Sequence, residues 1–220
     1  MKQPFPVWVV HSPKLVDRKE ACVASLSAVG WSAQWMEGHE PGDLGFRFWL
    51  RHVRNPTLTW GEISVYAKQR AVLEQVARAK TPALVLEDDP IFETGFASRA
   101  EPYFTSLPTN WDFVFFGASC GLEHPADAAT PLFARTGSTR SMSGYLVTPE
   151  AARRAANALR HRAIRLPIDL TMNAILREEG LRAFWSVPAL IQNGSEAGRY
   201  RRSVTGGRWR MLNPARLLRR

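Results

Sequence analysis

The stretch TPALVLEDDPIF (residues 81–92) joins a short apolar run to three consecutive acids and a proline. The apolar run, residues 83–86, has the length and composition of a buried strand. Glu87, Asp88 and Asp89 follow at the end of this strand, where three adjacent carboxylates repel one another. A metal ion, a basic partner or water would have to offset that repulsion, and the stretch alone leaves all three open.

Strands and helices alternate along the rest of the chain. The predicted strands are residues 6–10, 32–36, 83–86, 111–117, 145–147 and 182–188. The predicted helices are residues 17–29, 59–80, 96–107, 149–161 and 168–179, with a loop at residues 37–56. This alternation predicts a single α/β domain with a mostly parallel, doubly wound sheet flanked by helices. Ligands of such sheets bind at the carboxyl ends of strands, which is where the three acids lie.

Three of the predicted helices begin with a capping signal. Asp17 is a predicted N-cap of the first helix, and Thr148 is a predicted N-cap later in the chain. Thr59 and Glu62 have the spacing of a capping box, in which each side chain accepts from the backbone of the other residue. Glu62 therefore has two open interpretations, as a helix cap or as a member of a functional site.

The three acids are expected to divide between two directions. Side chains alternate along an extended backbone, so Glu87 and Asp89 should point one way and Asp88 the other. Two carboxylates on one side form a hard-oxygen site suited to Mg²⁺ or Mn²⁺, which would bind a nucleotide diphosphate as well. Asp88 is then expected to turn inward and hold the loop. The alternative is an acidic turn that pairs with nearby Lys or Arg side chains.

Other common sequence motifs give little evidence for a functional site. The sequence has no GxxxxGK[ST] and no GxGxxG after a strand, which argues against P-loop and Rossmann phosphate sites. The histidines are scattered, and none is a predicted metal ligand: His11, His39, His52, His124 and His161. Cys22 and Cys120 form no CxxC pattern, so two reduced, buried thiols are expected.

Positive charge is concentrated at the end of the chain. The net charge is +9, from 29 Lys+Arg against 20 Asp+Glu. Residues 199–220 contain eight arginines and no acid, and are interpreted as a tail that follows a domain at residues 1–198. Trp209 and Leu212 interleave with the arginines, which favours an anionic membrane surface as partner over nucleic acid. A solvated tail that maintains solubility is the remaining interpretation.

The sequence also predicts where in the cell the protein is located. The N-terminal stretch MKQPFPVWVVHSPK lacks the apolar length of a signal peptide. No segment approaches the roughly 20 apolar residues that a membrane-spanning helix needs. We therefore expect a cytoplasmic protein that the tail could attach peripherally to the inner face of the membrane.

Five segments, taken in order, resemble a known family. They are VWVVHSPKLVDRKEACVASLSAVG (7–30), LTWGEISVYAKQRAVLEQVARAKTPALVLEDD (58–89), SGYLVTPEAARR (143–154), LPIDLTMN (166–173) and VPALIQNGSEAG (187–198). Together they resemble glycosyltransferase family 25, which includes bacterial lipooligosaccharide galactosyltransferases and the collagen galactosyltransferases. The resemblance covers residues 6–198, and its specificity lies in the order and spacing of the segments.

The resemblance implies a GT-A fold that uses a nucleotide-activated sugar, expected to be UDP-linked, and Mn²⁺ or Mg²⁺. Glu87, Asp88 and Asp89 would be its DxD-type motif. Asp89 would contact the metal directly, and Glu87 would assist through water or the ribose. Arg18 would lie near the nucleotide, although a surface arginine in a first helical turn explains that residue equally well. Gln192, from the closing segment, is a further expected donor-binding residue.

The resemblance also implies inversion at the anomeric carbon, which requires a carboxylate to take the proton of the acceptor hydroxyl. Asp169 in the Pro-x-Asp segment is the candidate base, and its alternative role is an N-cap of the following helix. Glu62, from the Gly-Glu helix, is the second candidate catalytic residue. The expected acceptor is a cell-envelope glycan or glycolipid of the lipopolysaccharide type.

One segment departs from the family pattern. After Gly-Glu the chain reads SVYAKQR, so Lys68 and Gln69 occupy positions where Ser and His are expected. This difference motivates a non-catalytic binding module of the same fold with a basic tail as the alternative to a transferase acting on envelope glycans. The basic surface motivates a third hypothesis, the same chemistry on a nucleic-acid acceptor.

Overall fold

The structure is a computed structural model that describes residues 2–92, 95–118, 132–139, 141–195 and 197–200. The tail beyond Tyr200, Cys120 and His124 lie outside these residues, so the expectations about them stay predictions. Cys22 is free and buried, as expected. No helix in the described ranges is long and apolar enough to cross a membrane.

Ten short strands and six helices make up the described structure. The strands are β1 Val7–Val10, β2 Gln34–Met36, β3 Ala83–Glu87, β4 Pro90–Phe92, β5 Phe113–Phe115, β6 Gly117–Ala118, β7 Phe133–Thr136, β8 Gly144–Val147, β9 Ala183–Ser186 and β10 Ile191–Asn193. The helices are α1 Val16–Ala28, α2 Pro41–His52, α3 Trp60–Arg78, α4 Phe96–Thr105, α5 Pro149–His161 and α6 Ile168–Glu178.

Seven strands form the central sheet in the order β2-β1-β3-β8-β5-β9-β7. Strands β2, β1, β3, β5 and β9 run in one direction, and β8 and β7 run in the other. The predicted single α/β domain with a mostly parallel sheet is therefore confirmed. The reversal of β8 was not predicted, because an apolar run has the same pattern in either direction.

Helices cover both faces of this sheet because its strands are apolar on both sides. In β3, Leu84 and Leu86 pack into the layer that contains α1 and α4. Ala83 and Val85 pack on the opposite side with α3, α5 and α6. Glu87 continues the alternation onto the side of α3 and α6, whose N-terminal ends lie beside it.

A second, three-stranded sheet joins distant parts of the chain in the order β4-β10-β6. Strand β10 runs antiparallel to β4, and Asn193 pairs with Pro90 in their register. Because Pro90 directly follows the three acids, this pairing brings the closing segment of the domain beside them.

Helix α2 corrects the loop that was predicted at residues 37–56. Pro41 occupies the first turn, and Glu40 and Asp43 form a capping box. Gly45 has a φ of 66°, outside the helical region, so it interrupts the helix. This interruption breaks the apolar periodicity that would have predicted a helix there.

The other predicted helix starts are confirmed in two cases and wrong in one. Thr148 accepts from Ala151 N at 3.2 Å, and the Thr59–Glu62 capping box is present. Asp17 is not an N-cap, because α1 begins one residue earlier and Leu15 takes the cap position. Asp17 lies instead in the first turn, where a carboxylate interacts favourably with the helix dipole.

Candidate functional site

A cavity of about 320 Å³ opens at the carboxyl ends of β1 and β3. The N-terminal ends of α3 and α6 and the chain after β10 complete its wall. Its wall includes five acids, Glu62, Glu87, Asp88, Asp89 and Asp169, and two basic side chains, Arg18 and Lys68. The structure therefore brings six of the seven site residues predicted from the sequence into one cavity and adds Lys68.

Glu87 ends β3 and lies among the other acids of the cavity. Its Oε2 accepts a hydrogen bond from Asn193 Nδ2 at 3.2 Å. Burial raises the pKa of Glu87 well above its usual value, and repulsion from Asp89, Asp169 and Asp88 adds to the rise. Arg18 lowers the pKa only in part. The crowding of carboxylates inferred from the sequence is thus present in the folded protein.

Asp88 turns into the protein and joins three elements. It is 6% exposed, and its Oδ2 lies 2.8 Å from His11 Nδ1. Its Oδ1 accepts from Arg18 Nη1 at 3.1 Å. Since His11 follows β1 and Arg18 lies on α1, Asp88 ties the end of β3 to both of them.

Asp89 is held by hydrogen bonds from the segment after β10. Its Oδ2 accepts from Ser195 N at 2.9 Å and from the Ser195 hydroxyl. Arg18 Nη1 lies 3.4 Å from the same oxygen. The other oxygen, Oδ1, lies 3.3 Å from Asn193 Nδ2. The two oxygens of Asp89 therefore have different partners, because Oδ2 accepts from Ser195 and Arg18 whereas Oδ1 accepts from Asn193, which also donates to Glu87.

Asn193 brings the two outer acids together. Its single amide nitrogen contacts Glu87 Oε2 at 3.2 Å and Asp89 Oδ1 at 3.3 Å. Gln192, the residue predicted from the sequence, is exposed and lies outside the cavity wall. Side chains alternate along β10, so the neighbour of Asn193 points away from the acids. Gln192 thus shares a strand with Asn193 but lies on the opposite face, and its expected role in donor binding stays a prediction.

Arg18 is a buried cation and not a surface residue. It is 7% exposed and contacts Asp88 and Asp89, and its Nη2 donates to Ser195 Oγ at 2.8 Å. Its guanidinium also lies over the Tyr200 ring, 5.1 Å from the centroid. Of the partners that the sequence left open for the acids, a basic side chain is therefore present.

Lys68 supplies a second buried cation, at 2% exposure. Its Nζ donates to His11 O at 2.8 Å and forms an ion pair with Glu40. Glu40 also accepts from Ser12 Oγ at 3.0 Å, so the pair connects α3, the start of α2 and the loop after β1. Gln69 lies outside the cavity wall, where its Oε1 accepts from Tyr145 OH at 2.7 Å.

Asp169 lies in the first turn of α6 and lines the cavity. Pro167 occupies the N-cap position, so the alternative interpretation of Asp169 as the N-cap is wrong. Its Oδ1 accepts from Met142 N at 2.9 Å, and Thr139 Oγ1 donates to its backbone oxygen at 3.3 Å. These contacts fix the carboxyl group in the wall beside Glu87.

Both interpretations of Glu62 agree with its position. Its Oε2 accepts from Thr59 N at 2.6 Å and from Thr59 Oγ1 at 2.8 Å, which is the capping role. Its side chain also lines the cavity at the start of α3. The contacts on Oε2 show that one of its two oxygens is committed to the helix end.

The residues in this cavity suit a divalent cation whose coordination shell is completed by a bound ligand and water. Within the described ranges, no three His, Cys, Asp or Glu side chains form a metal-binding group of their own. Mg²⁺ and Mn²⁺ commonly use only one or two protein carboxylates and take their other oxygens from phosphates and water. Glu87 Oε2 and Asp89 Oδ1 are carboxylate oxygens that could serve in this way, and both lie within 3.3 Å of one atom of Asn193.

Comparisons with known proteins identify the fold. No protein-family model matches the chain. No curated protein sequence matches it either. A match to mouse xyloside xylosyltransferase 1, in its apo form, has a TM-score of 0.44 at 8% identity and covers 81% of this chain and 83% of that one. A match to the crystal structure of a glycosyltransferase involved in the glycosylation of the major capsid of PBCV-1 has a TM-score of 0.51 at 13% identity. It covers 88% of this chain and 96% of that one, so the chain shares the fold of that glycosyltransferase.

Proposed function

We propose that this protein is a glycosyltransferase that moves a sugar from a nucleotide-sugar donor to a glycan acceptor. The observation that carries the proposal is the convergence of Glu87, Asp89 and Asp169 on one cavity at the carboxyl ends of β1 and β3. The fold shared with the PBCV-1 glycosyltransferase and the resemblance to family 25 support the same reaction class.

The donor diphosphate is proposed to bind beside Glu87 and Asp89. Glu87 Oε2 and Asp89 Oδ1 would hold Mn²⁺ or Mg²⁺, which neutralises charge on the leaving diphosphate when it is bound. Asn193 orients both carboxylates through its amide nitrogen. Arg18 fixes Asp89 from the other side, so the motif stays in place without the ligand. Such preorganisation lowers the cost of binding a charged donor.

Asp169 is proposed to act as the general base. The acceptor oxygen forms a bond to the anomeric carbon while the bond from that carbon to the diphosphate breaks, and the hydroxyl proton passes to Asp169. The hydrogen bond from Met142 N holds one carboxylate oxygen in place. Inversion at the anomeric carbon follows if the attack is direct, as the resemblance to family 25 implies.

The acceptor is proposed to be a cell-envelope glycan of the lipopolysaccharide type, reached by a cytoplasmic protein at the inner membrane face. This choice rests on the family resemblance. A nucleic-acid acceptor is the alternative, and duplex binding that falls steeply as salt is raised would favour it.

A thermal-shift panel tests the donor site. The full chain is heated with UDP-, GDP- and CMP-linked sugars, each with and without Mn²⁺. We expect one nucleotide to raise the melting temperature only when Mn²⁺ is present. Glu87→Gln should abolish that shift, because it replaces a metal-binding oxygen with an amide of the same shape.

Glu101→Gln is the matched control, since Glu101 is an exposed acid on α4 that lies outside the cavity wall. It should keep the full shift. A donor-dependent shift of equal size in wild type and Glu87→Gln would contradict the proposed site, as would a lack of response to every donor tested.

A further inference from the structure

Helix α2 exposes apolar side chains on the outside of the domain. Phe46 is 49% exposed and Leu50, one turn later, is 57% exposed. Trp49 and Val53, on the adjacent face, are each only 7% exposed and pack into the core. The core thus anchors this helix by one stripe and leaves a second apolar stripe uncovered.

Arginines lie next to the uncovered stripe. Arg47, Arg51 and Arg54 are all exposed, and no acid occurs between Leu44 and Gly61. None of these arginines takes part in an ion pair with another residue of the described ranges. Arg54 Nη1 instead donates to the carbonyl oxygens of Leu50 at 3.0 Å and Val53 at 3.1 Å. The nearest acid on the helix, Asp43, caps it by accepting from the Glu40 backbone.

The segment at residues 164–170 extends this surface. Ile164 N donates to His52 O at 2.8 Å, and Arg54 N donates to Ile164 O at 2.9 Å, so the two segments are in direct backbone contact. Asn55 Nδ2 adds a bond to Arg165 O at 2.8 Å. Beyond this contact, Leu166 is 46% exposed and Leu170 is 51% exposed.

The two segments together form what we call the α2 surface. Its members are Phe46, Arg47, Leu50, Arg51, Arg54, Arg165, Leu166 and Leu170. Four of the six large apolar side chains that are most exposed in the described residues belong to it. It reaches the rim of the cavity, because Leu166 and Leu170 flank the cavity-lining residues Pro167, Ile168 and Asp169.

We propose that the α2 surface docks on an anionic lipid bilayer. Exposed Phe and Leu side chains gain by entering the boundary between headgroups and acyl chains, and the neighbouring arginines gain by contacting anionic headgroups. Nucleic acid would satisfy the arginines and leave the apolar side chains in a polar setting, so lipid fits the whole surface better. Docking in this way would place the Asp169 side of the cavity towards the membrane.

Co-sedimentation of the full chain with vesicles tests this proposal independently of any transfer activity. The vesicles are phosphatidylcholine alone, or phosphatidylcholine with an equal amount of phosphatidylglycerol. We expect binding to the anionic vesicles only. Arg47→Gln with Arg51→Gln should weaken it by roughly ten- to thirty-fold, because each arginine near an anionic surface contributes on the order of 1 kcal/mol. Phe46→Ser with Leu50→Ser should also weaken it.

Two double variants serve as matched controls on other surfaces. Val16→Ser with Val23→Ser removes exposed apolar side chains from α1, which are 57% and 45% exposed. Arg153→Gln with Arg177→Gln removes the same charge from exposed positions on α5 and α6. Both controls should bind anionic vesicles like wild type, and all variants should unfold at the same temperature because the replaced side chains are exposed.

Two outcomes would overturn the proposal. Wild-type binding retained by both α2 variants would show that another part of the chain carries any membrane affinity. A selective loss of duplex DNA binding in the arginine variant, with vesicle binding unchanged, would assign the surface to nucleic acid.

Discussion

Charge in the cavity is balanced unevenly among its residues. Arg18 pairs with Asp88 and Asp89, and Lys68 pairs with Glu40. Glu87 takes part in no ion pair within the described ranges, and its pKa is raised by burial and by the acids around it. A cation bound beside Glu87 would favour the charged carboxylate and so oppose the rise in its pKa.

The buried pair of Lys68 and Glu40 gives a prediction about stability. Lys68→Met should lower the free energy of unfolding by about 3 kcal/mol, because it leaves Glu40 as an unpaired charge with little exposure. Adding Glu40→Gln should restore much of the loss, since both charges are then gone. Chemical denaturation of the two single variants and the double variant measures this coupling.

Arg153→Met provides the comparison, because Arg153 and Glu150 form an ion pair whose side chains are both 63% exposed. Removing one member of that pair should change stability little, since solvent screens it. Equal losses in Lys68→Met and Arg153→Met would contradict the buried role of Lys68.

At the scale of elements, two helices deliver acids to the cavity from their first turns. Glu62 lies at the start of α3 and Asp169 at the start of α6. A carboxylate interacts favourably with the dipole at a helix N-terminus, so an acid suits both positions. The two acids differ in their other contacts, because Glu62 caps its own helix whereas Asp169 accepts from Met142 N on a distant loop.

This difference predicts different kinetic effects for two matched amide variants. Asp169→Asn should lower kcat by roughly 10²- to 10⁴-fold, the usual contribution of a general base. Glu62→Gln should keep most of the rate, because the amide oxygen can still accept from Thr59. Initial rates of sugar transfer, measured with a donor identified by thermal shift, compare the two.

The melting temperatures of both variants are measured together with these rates. In Asp169→Asn the new amide oxygen can still accept from Met142 N, so stability should be preserved. A loss of rate in Glu62→Gln as large as that in Asp169→Asn would assign Glu62 to the chemistry. A normal rate in Asp169→Asn would exclude Asp169 as the base.

At the scale of the whole molecule, the site depends on β10 lying beside β4. This pairing carries Asn193 and Ser195 to the acids, which lie more than 100 positions earlier in the chain. Gly194 sits between them, and its N donates to Asp89 O at 2.8 Å. The approach is close, because a Cβ on Gly194 would lie 2.8 Å from Asp89 O and 3.1 Å from the Tyr200 ring.

Gly194→Ala should therefore disturb the site and the sheet together. We expect a loss of about 1–3 kcal/mol in stability, the usual cost of inserting a methyl group where there is no room. The donor-dependent thermal shift should fall as well, since Asp89 must move. Gly137→Ala is the control, because a Cβ there meets nothing within 4 Å. Equal melting temperatures and equal donor shifts for the two variants would contradict the close packing at Gly194.

Local patterns in the sequence determined much of the secondary structure of this protein and the order of its elements. The boundary between the apolar run of β3 and its three acids, the capping box at Thr59 and the N-cap at Thr148 all depend on residues within a few positions of one another. The alternation of strands and helices, which predicted the layered sheet, also depends on such local patterns. It also placed the acids at a carboxyl edge, where the cavity lies.

The tertiary structure alone decided the partners of those acids. Arg18 meets Ser195 across 177 positions and Asp88 across 70, and no local pattern specifies such pairs. Asn193 rather than Gln192 contacts the acids because its face of β10 points towards Glu87 and Asp89. The buried position of Lys68 likewise follows from the packing of α3. The sequence by itself determined which residues could do chemistry at the edge of the sheet. Which of these residues line the site depended on long-range packing, because a side chain acquires its neighbours only when distant segments come together.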